Sequence, residues 1–152
     1  MKKIIFLLVI CFSISCKAKG GKNSSNNSLD SKINFMATLI KKSLNKMDYS
    51  IIKPHIMTSK EANKILRKQL SPGILETATK MWWNKWEKLA KQGYIVGKIS
   101  VSKIKNAPAG KEFKKAFIVA PLRLTINKEN TPAFVWDVDL IKIDKNWKIS
   151  VE

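Results

Sequence analysis

Apolar residues along this chain keep three spacings in succession. They run unbroken from Ile4 to Ile10, recur at helical intervals from Ile33 to Leu89, and alternate from Tyr94 onward. In the helical zone, Ile33, Met36, Ala37, Ile40, Leu44 and Met47 predict an amphipathic helix over 32–47. Asp48-Tyr49-Ser50 ends it, and 51–57, which contains Pro54, reads as irregular. Thr58-Ser59-Lys60-Glu61 fits a capping box, in which the Thr hydroxyl and the Glu carboxylate satisfy reciprocal orphan amides. The helix it opens carries Ala62, Ile65 and Leu66 inward and ends near Gln69 or Leu70. Ser71 as cap and Pro72 at the first helical position predict a third helix. Its inner stripe is Leu75, Ala78, Trp82, Trp86 and Leu89, and Gly93 stops it.

Strands follow. Ile95, Gly97, Ile99 and Val101 share one face of a strand over 94–104, and Ala107-Pro108-Ala109-Gly110 makes a turn. Residues 113–126 hold the densest apolar run, 116–122, which predicts burial on both faces. Pro121 interrupts that run and calls for an edge or a bulge. After a turn at 127–132, Phe134, Trp136, Val138 and Leu140 alternate with Val135, Asp137, Asp139 and Ile141. Asp144-Lys145-Asn146 then turns the chain into Trp147, Ile149 and Val151. Helices followed by sequential antiparallel strands define an α+β domain, with the helices covering one face of the sheet.

The unbroken run at the N-terminus changes the picture of location. Lys2 and Lys3 precede it, Ser13-Ile14-Ser15 follows it, and Cys16 closes it. A bilayer span needs about 20 apolar residues, and this run is far shorter, so it reads as a signal segment. Cleavage before Cys16 would remove Cys11 and leave one cysteine for lipid, with no thiol spare in an oxidising compartment. The segment resembles the lipobox of bacterial lipoproteins, with Ser13 where a large aliphatic residue is usual. That resemblance implies a signal peptide over 1–15 and a Cys16 acylated in the bacterial cell envelope, periplasmic or surface-exposed. Residues 16–31 are then the lipidated cysteine and a tether of Gly, Ser, Asn and Lys, with too little to bury to order itself. Such a tether reaches roughly 20 Å, and Lys17, Lys19 and Lys22 beside the lipid favour an anionic leaflet or glycan. Residues 32–152 form a single domain of ordinary size.

Charge narrows the partner class. Lys and Arg number 29 against 11 Asp and Glu, and the formal charge of +18 falls by two, to +16, once Lys2 and Lys3 leave with the signal. Arg67 and Arg123 are the only arginines. Base-edge and bidentate phosphate recognition favours arginine, so nucleic acid is not the expected partner. Anionic lipid, glycan or an acidic protein fits better. A lysine-rich proteome would give the same composition without any such partner.

The order of elements over 32–152 resembles the nuclear transport factor 2-like superfamily, a cystatin-like α+β roll. Three stretches carry the likeness: 40–49, IKKSLNKMDY, as the end of a first helix; the apolar strands 113–126 and 134–143 as a long curved hairpin; and 138–149, VDLIKIDKNWKI, as a closing hairpin. The resemblance implies helices on a curved antiparallel sheet, a pocket between them in many members, and sheet-face homodimers in some. In ketosteroid isomerases of that superfamily the pocket holds an Asp base. Candidate residues for such chemistry here are Asp137 and Asp139, about 6–7 Å apart on one strand face, and His55. Asp137 and Asp139 suit surface pairing with lysines better, and His55, the single histidine, has no nucleophile motif or cysteine cluster beside it. No metal or cofactor is expected.

The tryptophans are the remaining candidates. Trp82 and Trp86 point inward one helical turn apart, and Trp83 falls about 100° round, at a rim or on the surface. With Trp136 and Tyr94 from the strands they form either core or an aromatic-lined ligand pocket. The sequence thus supports a non-catalytic, lipid-anchored envelope protein that binds a partner protein, an apolar ligand or an anionic envelope component. A small isomerase, lyase or hydrolase using the roll's pocket is the alternative. Cys16→Ser is expected to abolish fatty-acid labelling in growing cells and to release the protein from the membrane fraction. Unchanged labelling or fractionation would remove the anchor.

Overall fold

The computed structural model describes residues 26–151, so the signal-like segment, Cys16 and the lysines at 17, 19 and 22 lie outside the described residues. Helix α1 spans Asn26–Lys46, starting inside the stretch read as tether. Nothing in 22–31 is Pro or Gly, and a nucleated helix extends at small cost per residue. Ile33, Met36, Ile40 and Leu44 are buried as the periodicity predicts, but Met47 is exposed. It adopts φ 55°. The Asp48 and Met47 amides bond back to the Ser43 and Leu44 carbonyls at 3.0 and 3.2 Å. This is a Schellman end, and its left-handed residue leaves the helical stripe.

Two 3₁₀ turns, Tyr49–Ile51 and Lys53–His55, carry the chain around Pro54. The capping box at Thr58 and Glu61 forms, yet α2 covers only Ser59–Ala62. The remainder of the expected helix is spent otherwise. Asn63 accepts from the Leu70 amide at 2.7 Å and donates to its carbonyl at 3.0 Å, closing a loop. Leu66 bridges Phe113, with the Arg67 amide on the Glu112 carbonyl and the Lys114 amide on the Ile65 carbonyl. A tertiary pairing here overrides local propensity.

Helix α3 spans Ile74–Lys91 and starts two residues later than the cap expected at Ser71 implies. Gly73, at φ 76°, takes the cap position, because Ser71-Pro72-Gly73 closes a turn through the Ile74 amide. Its buried face is Leu75, Thr79, Trp82, Trp83 and Trp86. Trp83 therefore lies inside, not at a rim or on the surface, and Ala78 and Leu89 are only half-buried. The inner stripe is wider than the one-residue-per-turn pattern suggests.

The strands are β1 (Tyr94–Val101), β2 (Lys105–Ala107), β3 (Phe117–Lys128), β4 (Thr131–Ile143) and β5 (Asn146–Ser150). They form one curved, half-barrel antiparallel sheet of order β1-β3-β4-β5, with β2 also on β3. Between Val96 and Ile99 the β1–β3 register slips by one. The slip reverses the faces expected for β1: Val96 is buried and Ile95 exposed before it, whereas Ile99 lies on the helix side after it. A Cβ at Gly97 would collide with the Asn127 side chain, so this bend requires glycine. A second slip separates β1 from β2 opposite Pro121, whose carbonyl accepts from the Ser102 amide at 2.8 Å. Proline, with no N–H to give, sits where the ladder breaks, as its position predicted.

β3 is buried on both faces. Ala120, Leu122, Leu124 and Ile126 join α1 and α3 in one core, with Val138, Leu140 and Ile149 from β4 and β5. Phe117 and Val119 point the other way and meet Met57, Ala62, Ile65 and Leu75 in a second core with Ile141 and Ile143. Helices therefore do not cover one face alone, because the 57–75 segment wraps over part of the second.

Two outer edges of the sheet are each bonded at one position by neighbouring chain. Asn45 on α1 accepts from the Val96 amide at 2.8 Å and donates to its carbonyl at 3.0 Å, standing in for a missing strand. On β5, Ile56 bridges Ile149 in parallel and the Met57 amide bonds to the Ile149 carbonyl at 2.9 Å. Asn45→Ala should cost about 1–3 kcal/mol, two net hydrogen bonds' worth, measured by urea unfolding. Asn45→Asp keeps the acceptor and sets a carboxylate against the Val96 carbonyl, so it should rescue little.

Candidate functional site

The aromatic residues singled out in the sequence gather on the helix side of the sheet. Trp136 on β4 meets Trp82 at 5.5 Å and Trp86 at 5.8 Å between ring centroids. The row continues from Trp82 to Trp83 at 6.4 Å and from Trp83 to Tyr49 at 5.1 Å. Trp86 is fully buried and donates its indole N–H to the Leu44 carbonyl at 2.9 Å, joining α3 to α1. Trp83 donates to Glu87 at 2.8 Å. Among the described residues the buried indole nitrogens of Trp82 and Trp147 have no hydrogen-bond partner. Tyr94 stands apart from this row, against Phe134 at 5.6 Å.

At the open margin of the row the rings meet lysines. Lys85 lies 5.4 Å from the Trp136 ring and Lys128 lies 5.1 Å from Tyr94. Each is a cation over an aromatic face, a contact worth about 0.5–1 kcal/mol where exposed. Phe134, Lys85 and Lys128 had no motif to announce them. Lys128 meets Tyr94 through the β1–β3 pairing, Lys85 reaches Trp136 from α3, and the β3–β4 pairing sets Ile126 beside Phe134 and Leu124 beside Trp136.

Asp137 and Asp139 occupy the opposite face. Strand alternation turns them away from Trp136, and Asp137 pairs with Arg123 at 3.5 Å. Asp139 is half-buried beside Pro121. His55 is half-buried in the second 3₁₀ turn. The structure thus brings Trp82, Trp86 and Trp136 together and keeps both aspartates off their face of the sheet. Among the described residues no three His, Cys, Asp or Glu side chains are grouped to hold a metal ion, and no helix is long and apolar enough to cross a membrane. An open depression of about 220 Å³ lies elsewhere, lined by Ile65, Phe117, Ile143 and the ion pair Lys115–Asp144.

Six of the nine carboxylates over 32–151 serve the domain's own structure, Asp137 through Arg123 among them. Glu61 completes the capping box and pairs with Lys148 at 2.9 Å. Glu76 accepts from the buried Ser59 at its hydroxyl, 2.7 Å, and its amide, 3.1 Å, which ties α3 to α2. Asp48 holds the Ser50 amide and hydroxyl, Glu87 holds Trp83, and Asp144 takes Lys115. Over 32–151 there are 24 Lys and Arg for nine Asp and Glu, so most of the lysines have no carboxylate to neutralise them.

Desolvation would raise the Glu76 pKa, but the bonds from Ser59 and its own amide outweigh it and hold the group below its ordinary value. Glu61 follows the same logic, with Lys148 and Thr58 outweighing desolvation.

Comparison with known families matches no family model to the chain, and comparison with curated proteins and with solved structures gives no match either.

Because the folded state lowers the Glu61 and Glu76 pKa values, their contribution is complete above the ordinary value of 4.5 and is lost as pH falls through the folded values. Melting temperature should drop across that acid window. Glu76→Gln should lower it near neutral pH and flatten the acid limb, as read by thermal melts at stepped pH.

Proposed function

We propose that the protein is a non-catalytic, lipid-anchored component of the bacterial cell envelope whose domain holds an acidic partner protein near the membrane surface. Its architecture agrees in general terms with a nuclear transport factor 2-like, cystatin-like roll, and we assign the domain to that fold. The observation that carries the reading is the use of its carboxylates. Glu61, Glu76, Glu87, Asp48 and Asp144 serve caps, ion pairs and an indole, while the lysine excess stays at the surface. An uncompensated positive field draws in an acidic surface and raises its association rate. Lysine ammoniums act as hydrated point charges, which suits a broad acidic surface better than bidentate recognition of phosphate. Acylation of Cys16 would place this field within about 20 Å of the bilayer, with Lys17, Lys19 and Lys22 against its headgroups.

Poly-glutamate is a direct probe of this reading. The protein extracted in neutral detergent should bind it at low salt and lose at least tenfold in affinity between about 50 and 300 mM NaCl, as charge screening requires. Binding of apolar small molecules with no salt dependence, and none to poly-glutamate, would replace the acidic partner with a pocket ligand.

A further inference from the structure

One stretch of sheet edge is left open. β4 has 13 residues, and β5 pairs only with its second half, from Asp139 to Ile143. Among the described residues nothing pairs with the outer edge of β4 from 131 to 138. Phe134 is 38% exposed and Val135 50%, on opposite faces of the strand, while Trp136 and Val138 are packed on the helix side. Unpaired edges are normally blunted by lysine, proline, a bulge or a covering segment. Pro132 and the register slip beside it end the open stretch on one side, but 133–138, AFVWDV, holds no lysine and reads as a good strand. Asn45 bonds the β1 edge at Val96, and Ile56 and Met57 bond the β5 edge at Ile149, whereas among the described residues no such contact reaches β4 over 133–138.

We infer that the outer edge of β4 at 133–138 accepts an extended acidic segment of the partner protein as an added strand. The inference rests on the acidic-partner reading and names where and how that partner is held. Its charge follows from the surroundings. On the helix side Lys85 stands over Trp136, and the 24 Lys and Arg of 32–151 against nine Asp and Glu give the whole domain a positive field. On the other face stand Val135 and Asp137, the latter taken by Arg123. An added strand alternates its side chains between these faces. Acidic residues at every second position would meet Lys85 and the positive field of the domain, and apolar residues between them would cover Val135 and avoid Asp137. A second copy of this chain brings its own lysine excess to the edge and is repelled. Lipid headgroups can accept from single N–H groups but present no regular row of donors and acceptors at strand spacing, and the hydrocarbon beneath offers none.

The probe is an acetylated, amidated ten-residue peptide of alternating Val and Glu, titrated into the detergent-extracted full-length protein. We expect amides within 133–138 to exchange hydrogen at least tenfold more slowly when it is bound. Of two variants, one methylated on the five Val nitrogens and one on the five Glu nitrogens, at least one should lose tenfold or more in affinity. Val135→Glu should weaken binding by a similar factor with an unchanged melting temperature. If both methylated peptides bind like the parent, or protection falls elsewhere, the strand site is wrong while salt-sensitive poly-glutamate binding still upholds the acidic partner. If neither peptide nor poly-glutamate binds, both readings fall. Slowed exchange in 133–138 that grows with protein concentration alone assigns the edge to a second copy and overturns the proposal.

Discussion

The structure depends on one strand that is apolar on both faces. Between Val119 and Leu122 every β3 side chain is buried. Each face must be shielded from water, at about 25 cal/mol for every Å² of apolar surface covered. α1 and α3 cover one side, and Trp86, bonded to the Leu44 carbonyl, fastens the two helices to each other. The 57–75 segment covers the other. Its anchor is polar: Ser59 accepts from the Leu75 amide and donates to Glu76, pinning the start of α3 over the second core.

Much of this was legible from side-chain spacing alone. The change of period at Gly93, the capping box, the doubly apolar 116–122 run and the break at Pro121 each rest on a local cause, and each has its counterpart in the structure. What escaped the sequence reading was decided by distant partners. Residues 63–70 have helical spacing, yet the bridge from Leu66 to Phe113 and the Asn63 clamp on Leu70 claim them. The faces of β1 reverse where its register on β3 slips by one around Gly97, and there the side chain of Asn127, some 30 residues away, occupies the space a Cβ would take. Met47 fits the stripe by number but ends the helix by conformation.

The candidate site was legible in its residues and not in its arrangement. Trp82, Trp86 and Trp136 were read as neighbours and do meet. Strand parity also placed Trp136 and the aspartates on opposite sides, so neither Asp137 nor Asp139 could serve an aromatic pocket on the helix face. The open edge of β4 was invisible, since it depends on where β5 stops pairing and on which segments reach the other edges. No single stretch of sequence encodes that.

Fold and proposed function draw on the same scarce resource. Six of the nine carboxylates over 32–151 cap a turn or helix, hold Ser59 or receive indole, lysine or arginine donors. Each still contributes its negative charge at a distance, so the positive field is set by the 24 Lys and Arg that outnumber them. Long-range attraction sets the encounter but carries little specificity, because screening confines it to about 8–10 Å in physiological salt. Specificity needs directional bonds at short range, and the open edge of β4 supplies backbone donors and acceptors on the strand whose Trp136 carries Lys85. Charge brings the partner to the right side of the molecule, and the strand edge fixes its register.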